Sequence, residues 1–187
     1  MRCDRVVRNR KSLLYRYAAL LLLGVCPLAH AGQFGLQLAG AAADRHDIQK
    51  LDLGLVWDPG LNWWDTGDWH FSLVGEVHLA YWHTHGAHPA IYEAGVAPML
   101  RFIKDTGSVR PYVELGAGLR VLSHARVSDA YTLSSAFQFT EIIGVGAQFG
   151  RRQQYQVGLR YQHISNADIK QPNPGIDFTQ LYVQYNF

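Results

Sequence analysis

The chain has 187 residues and a formal net charge of +2, from 17 Lys and Arg residues against 15 Asp and Glu residues. This length fits one domain, and no basic stripe interleaved with aromatic residues indicates a nucleic-acid partner. Both cysteines, Cys3 and Cys26, lie near the N-terminus, which excludes a disulfide framework from the remaining sequence.

The N-terminal stretch is typical of a secretory signal peptide. Basic residues precede a short apolar run at 18–26, and the small-x-small sequence AHA at 29–31 fits a cleavage site. We therefore predict that residues 1–31 are removed and that residues 32–187 form the mature domain. The run is too short for a transmembrane helix. The alternative is a lipoprotein signal modified at Cys26, whose neighbours match such a signal poorly.

Beyond this stretch, apolar and polar residues alternate in segments of roughly ten residues or more, which is the sequence signature of a transmembrane β-barrel. In chain order, the alternation predicts strands at 33–43, 47–57, 69–82, 90–103, 109–122, 136–149, 154–165 and 177–187. The turn signals between them are Asp58-Pro59-Gly60, Asp105-Thr106-Gly107, Gly150-Arg151-Arg152 and Pro172-Asn173-Pro174-Gly175.

The alternation also predicts which face of each strand meets lipid. In the fifth strand, apolar residues such as Leu115 alternate with Arg110, Glu114 and Arg120. Eight strands enclose an interior that side chains just fill. We predict an all-β fold, an eight-stranded antiparallel transmembrane β-barrel with a filled interior. A soluble barrel or sandwich is disfavoured because one face is continuously apolar and aromatic.

Counting the strands places several polar side chains together at the level of the outer leaflet. In an even-stranded barrel both termini lie on the periplasmic side and the longer loops are extracellular. The seventh strand then runs outward and carries His163 and Ser165 to the level of the outer leaflet. Residue parity turns both side chains towards lipid, together with Tyr161. Asp177 begins the last strand at the same level and on the same face.

Glu141 of the sixth strand extends this group. If Phe149 and Tyr155 are partners across the preceding turn, antiparallel pairing sets Glu141 opposite His163. A hydroxyl, an imidazole and two carboxylates are the parts of a nucleophilic site, because serine needs a base and the base needs an orienting acid. The spacing alone leaves a second interpretation open, in which the histidine and serine are hydrated by headgroups at the barrel rim.

Several stretches resemble one family. The sequence HISNA at 163–167, followed by KQPNPGID at 170–177 and a closing aromatic strand, resembles the lipid A 3-O-deacylase (PagL) family of Gram-negative outer membranes. Similar stretches upstream are VWDPGLNWW at 56–64, VRPYVELGAGL at 109–119 and FQFTEIIGVGAQF at 137–149. The resemblance covers most of the predicted mature chain, and its specific part is the HxSNA…NxGI block.

The resemblance implies a serine esterase that removes the acyl chain at the 3-position of lipid A. It assigns Ser165 as the nucleophile and His163 as the general base. Asp177 is the acid, at a position where a member of the family has glutamate. This shortening by one methylene leaves Glu141 open as the alternative acid.

The residues after the nucleophile complete the implied site. The backbone N–H groups of Asn166 and Ala167, or the Asn166 side chain, are the expected oxyanion donors. Asn173 is either a residue that supports the site or simply a turn residue.

The implied partners are lipid A or lipopolysaccharide as substrate and the surrounding outer-membrane lipids, with no cofactor and no metal. His83, His85 and His88 in one loop are weak evidence for a metal site, since no acid or cysteine accompanies them. The implied location is the bacterial outer membrane, as an integral barrel. A homodimer is one of the oligomeric states that the sequence leaves open. The second hypothesis is a non-enzymatic barrel that acts as an adhesin or structural protein.

Overall fold

The computed structural model describes residues 33–44, 47–84 and 90–187. The predicted signal peptide at 1–31 lies outside the described residues. The strands are β1 (Gln33–Ala43), β2 (Gln49–Thr66), β3 (Trp69–His83), β4 (Ile91–Lys104), β5 (Val109–Leu122), β6 (Phe137–Phe149), β7 (Tyr155–Ser165) and β8 (Ile176–Asn186). They pair antiparallel in chain order, and β8 returns to β1. The predicted eight-stranded closed barrel is confirmed.

The described part of the chain contains no helix of the length and apolar character needed to span a membrane.

The prediction for the second strand is wrong at its C-terminal end. β2 does not stop at Asp58-Pro59-Gly60 but continues to Thr66, and its pairing with β3 shifts between Trp57 and Leu61. Pro59 has no N–H to donate to a neighbouring strand. Gly60 adopts a positive φ of 72°, and its N–H donates to Asp58 Oδ1 at 2.7 Å. The three residues therefore form an irregularity of the bulge type within a longer hairpin.

The barrel wall separates an apolar exterior from a polar interior. Along β7 exposed and buried residues alternate, so that Leu159 is 48% exposed and the adjacent Arg160 is 1% exposed. The other strands add leucine, valine and aromatic side chains to the exterior. This continuous apolar surface suits the hydrocarbon of a bilayer.

Four charged side chains form the centre of the interior. Arg160 contacts Glu114 at 2.6 Å and Glu76 at 2.8 Å, and Arg101 contacts the same two carboxylates at 2.9 and 3.2 Å. All four residues are buried. The ion pairs satisfy one another, as buried charges require, and they cross the barrel between β3, β5, β4 and β7. The predicted filled interior thus has an ionic centre.

The two ends of the barrel differ in their connections. One end of the barrel, which we call the long-loop end, has the connections at 44–48, 84–90, 123–136 and 166–175, the last three of which are the longest in the barrel. The connections at 67–68, 105–108 and 150–154 lie at the other end, the short-turn end. An apolar cluster fills the interior at the long-loop end. Val127 and Leu133 from the connection at 123–136 pack there with Trp82, Ile164 and Phe178. This cluster lies directly behind the strand ends that carry the predicted site.

Replacing Glu114 with Gln should lower the free energy of unfolding by about 3 kcal/mol, because Arg101 and Arg160 would lose a shared buried charge. The matched control is Glu141→Gln, the same chemical change on the barrel exterior. It should have little effect, since no described residue pairs with the Glu141 carboxylate. Urea unfolding in detergent micelles, followed by tryptophan fluorescence, measures both values. Equal losses in the two variants would contradict the role given to the interior network.

Candidate active site

His163 lies between two carboxylates on neighbouring strands. In the register of the barrel it pairs with Glu141 of β6 on one side and with Asp177 of β8 on the other. The predicted pairing of Phe149 with Tyr155 is confirmed, and with it the position of Glu141 opposite His163. Ala117 of β5 pairs with Glu141 in turn. One row across the exterior therefore contains a small residue, an acid, a histidine and a second acid.

Only one of the two carboxylates contacts the imidazole. Asp177 Oδ1 lies 2.6 Å from His163 Nδ1, and both side chains are more than one third exposed. An ionised carboxylate can only accept, so Nδ1 donates the hydrogen bond and Nε2 is left as an acceptor. The Asp44 N–H donates to the Asp177 backbone carbonyl at 3.1 Å and ties this end of β8 to β1. Among the described residues, Glu141 has no hydrogen bond or ion pair.

Ser165 is the last residue of β7 and the next outward position after His163. It is partly exposed and pairs with Phe139 of β6. Its hydroxyl group has no hydrogen-bond partner in the described part of the chain. Alternate residues of a strand are roughly 6.6 Å apart, and contacts between a nucleophile and its base are often long until substrate binds. The hydroxyl and the imidazole thus share a face, with neither Ser165 Oγ nor His163 Nε2 engaged elsewhere.

Gly175 fixes the other side of the imidazole. Its φ is 63°, and a methyl group there would lie 2.6 Å from His163 Cε1 and 3.1 Å from Nε2. Only glycine combines this backbone conformation with so close an approach. The Tyr131 hydroxyl, from the connection between β5 and β6, donates to the Gly175 carbonyl. The ring of His163 is therefore held between Asp177 and the backbone of the loop at 166–175.

The loop that follows Ser165 is held by two asparagines. The Asn166 side chain is buried, where its Nδ2 donates to the carbonyls of Leu133 at 3.0 Å and Lys170 at 2.8 Å. The Asn166 N–H donates to Asn173 Oδ1 at 3.0 Å, and Asn173 Nδ2 donates to Asp168 Oδ1 at 3.1 Å. Asn173 thus does more than occupy a turn, because it connects both ends of the loop.

These contacts distinguish the two expected oxyanion donors. The backbone N–H and the side-chain Nδ2 of Asn166 already donate hydrogen bonds to protein acceptors. This geometry therefore does not match the oxyanion role expected for Asn166. The reason is parity, since the position after outward Ser165 turns into the barrel. Ala167 adopts a positive φ of 51°, and no described residue accepts its N–H.

An apolar groove begins beside His163 and runs along the barrel exterior. It has a volume of about 630 Å³, and its lining includes Leu100, Leu115, Ala117 and Ile143 as well as Glu141 and His163. A second groove of about 570 Å³ shares Leu115, Ile143 and Tyr161 with it. The shared residues make one path towards the short-turn end. Its dimensions and apolar lining suit a hydrocarbon chain.

No metal ligands cluster at this site within the described ranges. A group of possible metal ligands in the described part of the chain, Asp65, His70 and Asp105, lies at the short-turn end of the barrel. His70 Nδ1 is 2.7 Å from Asp105 Oδ1 there. His85 and His88 lie outside the described residues.

Comparison with known proteins points to one family. A family model described as lipid A 3-O-deacylase (PagL) matches residues 49–186. The lipid A deacylase PagL of Bordetella bronchiseptica is 40% identical over 124 residues, which are 65% of this chain. The match spans 66% of the Bordetella protein, just under two thirds of its length. The lipid A deacylase PagL of Pseudomonas aeruginosa is 33% identical over 144 residues, which are 77% of this chain and 82% of that protein.

The barrel is similar to a crystal structure of the outer membrane enzyme PagL. The TM-score is 0.72 with 30% sequence identity, over 81% of this chain and 98% of that chain.

Replacing Gly175 with Ala should displace the His163 ring and break its hydrogen bond to Asp177. The matched control is Gly60→Ala, which has a similar φ of 72° but open space around the added methyl group. NMR spectra of the protein with ¹⁵N-labelled histidine, recorded in micelles, report the His163 Nδ1–H signal. It should disappear in Gly175→Ala and persist in Gly60→Ala. Persistence of the signal in both variants would overturn the assigned role of Gly175.

Proposed function

Because this chain belongs to the lipid A 3-O-deacylase (PagL) family, we propose that it is an outer-membrane esterase that hydrolyses the acyl ester at the 3-position of lipid A. The observation that carries the proposal is the His163–Asp177 hydrogen bond on the apolar exterior, beside an unengaged serine hydroxyl. A base oriented by an acid and next to a hydroxyl is the arrangement that activates a serine nucleophile.

The position of the site fits such a substrate. In outer-membrane barrels, short turns face the periplasm and longer loops face outward. The long-loop end therefore lies in the outer leaflet, where lipid A resides. The interior is filled by ion pairs and apolar side chains, so an acylated lipid has no room there. A groove on the exterior receives the substrate directly from the bilayer.

Acylation of the enzyme is the first chemical step. His163 Nε2 takes the proton of the Ser165 hydroxyl while Ser165 Oγ attacks the carbonyl carbon of the ester. Asp177 accepts the Nδ1–H hydrogen bond, which keeps the ring oriented and stabilises the imidazolium that forms. The Ala167 N–H donates to the oxyanion of the tetrahedral intermediate.

Collapse of the intermediate breaks the bond between the carbonyl carbon and the 3-oxygen of the sugar. His163 returns its proton to that oxygen, and the sugar leaves with a free hydroxyl group. A water molecule then attacks the acyl-serine while His163 Nε2 takes its proton. The second intermediate expels Ser165, which recovers a proton from His163, and the fatty acid is released. Two proton transfers in each half-reaction restore the starting state.

The remaining site residues hold and shape this arrangement. Asn166 and Asn173 fix the loop that presents the Ala167 N–H, through the hydrogen bond between them. Gly175 leaves room for the Cε1–Nε2 edge of the imidazole, because an added methyl group would lie 2.6 Å from His163 Cε1. The acyl chain lies in the groove lined by Leu115, Ala117 and Ile143, which supplies the apolar contact that binds it.

Ser165→Ala should abolish the loss of the 3-linked acyl chain, because it removes the hydroxyl group that forms the proposed acyl intermediate. The protein is expressed in the outer membrane of a host whose lipid A carries this chain, and lipid A is analysed by mass spectrometry. The matched control is Ser128→Ala, at the same end of the barrel, which should retain full activity. Intact lipid A after expression of the wild-type protein would contradict the proposed function.

Asp177→Asn should lower kcat about 10³- to 10⁴-fold, because an amide favours the wrong histidine tautomer. Glu141→Gln should stay within about tenfold of the wild-type protein, since Glu141 makes no hydrogen bond to His163 and so does not orient the base. Initial rates on purified lipid A in mixed micelles separate the two. If only Glu141→Gln loses activity, Asp177 is not the orienting acid.

A further inference from the structure

A polar cavity opens at the short-turn end of the barrel, at the opposite end from the candidate active site. Its volume is about 360 Å³, and arginine and glutamine side chains make up most of its lining. The arginines are Arg101, Arg110, Arg151 and Arg152. Short turns face the periplasm in outer-membrane barrels, so the cavity opens to that side. The proposed ester hydrolysis uses none of its residues.

The charges that line this cavity do not balance. Arg101 is neutralised within the ionic centre of the interior. Nothing in the described part of the chain forms an ion pair or a hydrogen bond with the guanidinium groups of Arg110, Arg151 and Arg152. Asp58 is the acid among the described lining residues. Three unpaired guanidinium groups against one carboxylate leave an excess of two positive charges.

Two donors inside the cavity are held in place without an acceptor. Arg110 Nε is buried, and no described group accepts its hydrogen. Gln156 Oε1 accepts from Arg101 Nη1 at 3.2 Å and from the Tyr112 hydroxyl at 3.3 Å, which fixes the amide and leaves its Nε2 as a donor without a described partner. A donor left without a partner away from water costs free energy. A ligand with several acceptor oxygens would satisfy both.

The unpaired arginines project from a defined framework. Arg110 lies on β5, where it pairs with Gln148 of β6, and the turn with the other two arginines follows β6. In that turn the Arg152 N–H donates to Gln154 Oε1 at 2.9 Å, and the Gln153 N–H donates to the Gly150 carbonyl at 3.1 Å. The arginines of neighbouring elements thus converge on one cavity. Guanidinium groups are the side chains best suited to phosphate, because they offer parallel N–H donors.

We infer that this cavity binds a phosphate group on the periplasmic side of the barrel. The excess of two positive charges matches a phosphate monoester dianion better than a carboxylate, which has a single charge. The phosphate comes either from a soluble molecule of the periplasm or from the headgroup of a phospholipid in the inner leaflet, because both adjoin the short-turn end. This site is independent of the proposed ester hydrolysis.

Calorimetric titration with inorganic phosphate tests the site. The protein is held in micelles of a phosphate-free detergent at about pH 8, where phosphate is a dianion. Arg110→Gln should raise the Kd about 10- to 100-fold, because hydrogen bonds to a charged group are lost. The double variant Arg151→Gln with Arg152→Gln alters exposed turn residues and should also raise the Kd at least tenfold. The matched control is Arg126→Gln, an exposed arginine at the long-loop end, which should leave the Kd unchanged.

Two lipids with identical acyl chains, phosphatidic acid and diacylglycerol, distinguish the sources of the phosphate. Native mass spectrometry measures which lipid the protein retains in micelles. Retention of phosphatidic acid alone, lost in Arg110→Gln, supports a headgroup ligand. Binding of inorganic phosphate without retention of phosphatidic acid supports a soluble ligand.

Three results would overturn the inference. The first is that neither inorganic phosphate nor phosphatidic acid binds. The second is that Arg126→Gln weakens binding as much as Arg110→Gln, which indicates attraction to the overall charge and not to the cavity. The third is that acetate binds as tightly as phosphate, which indicates a partner with carboxylate groups. Deacylation of lipid A is expected to continue in all these variants, so the outcome leaves the proposed function untouched.

Discussion

The strict alternation of side chains along β7 is the constraint on which the site depends. Gln162 and Ile164 point into the barrel and are fully packed, which forces His163 and Ser165 to point out. A slip of one residue in the register would bury both functional groups. Closure of the barrel prevents such a slip, because β7 is paired along its length on both sides. The same pairing brings Asp177 next to His163.

The interior and the exterior of this barrel follow opposite rules. Inside, Arg101, Arg160, Glu76 and Glu114 neutralise one another, so that these four buried charges are all paired. Outside, where most residues are apolar, Glu141, His163, Ser165 and Asp177 lie at one level near the long-loop end. The proposed site would take a lipid substrate from the bilayer without a route through water, and such a site needs a rigid support. The apolar cluster behind Ile164 supplies that support.

The sequence predicts the barrel and much of the site because both depend on local patterns. Alternation defines the strands, and the turn between Phe149 and Tyr155 sets the register that brings Glu141 opposite His163. At Asp58-Pro59-Gly60 the sequence predicts a turn where the structure has a bulge, because these three residues are typical of a turn. The close approach of Gly175 to His163 and the hydrogen bonds of the Asn166 side chain depend on how the loops pack in three dimensions. The alternation of apolar and polar residues gives no information on that packing.

The central claim is that Ser165, activated by His163, forms the covalent intermediate at the membrane surface. A fluorophosphonate, which reacts with activated serine hydroxyls, tests it directly. After labelling in micelles, trypsin cleavage following Arg160 and Lys170 releases residues 161–170, in which Ser165 is the serine. Mass spectrometry should find the adduct on Ser165 in the wild-type protein and no adduct in a His163→Asn variant. An adduct on another residue, or continued deacylation of lipid A by protein that is fully labelled at Ser165, would contradict the account.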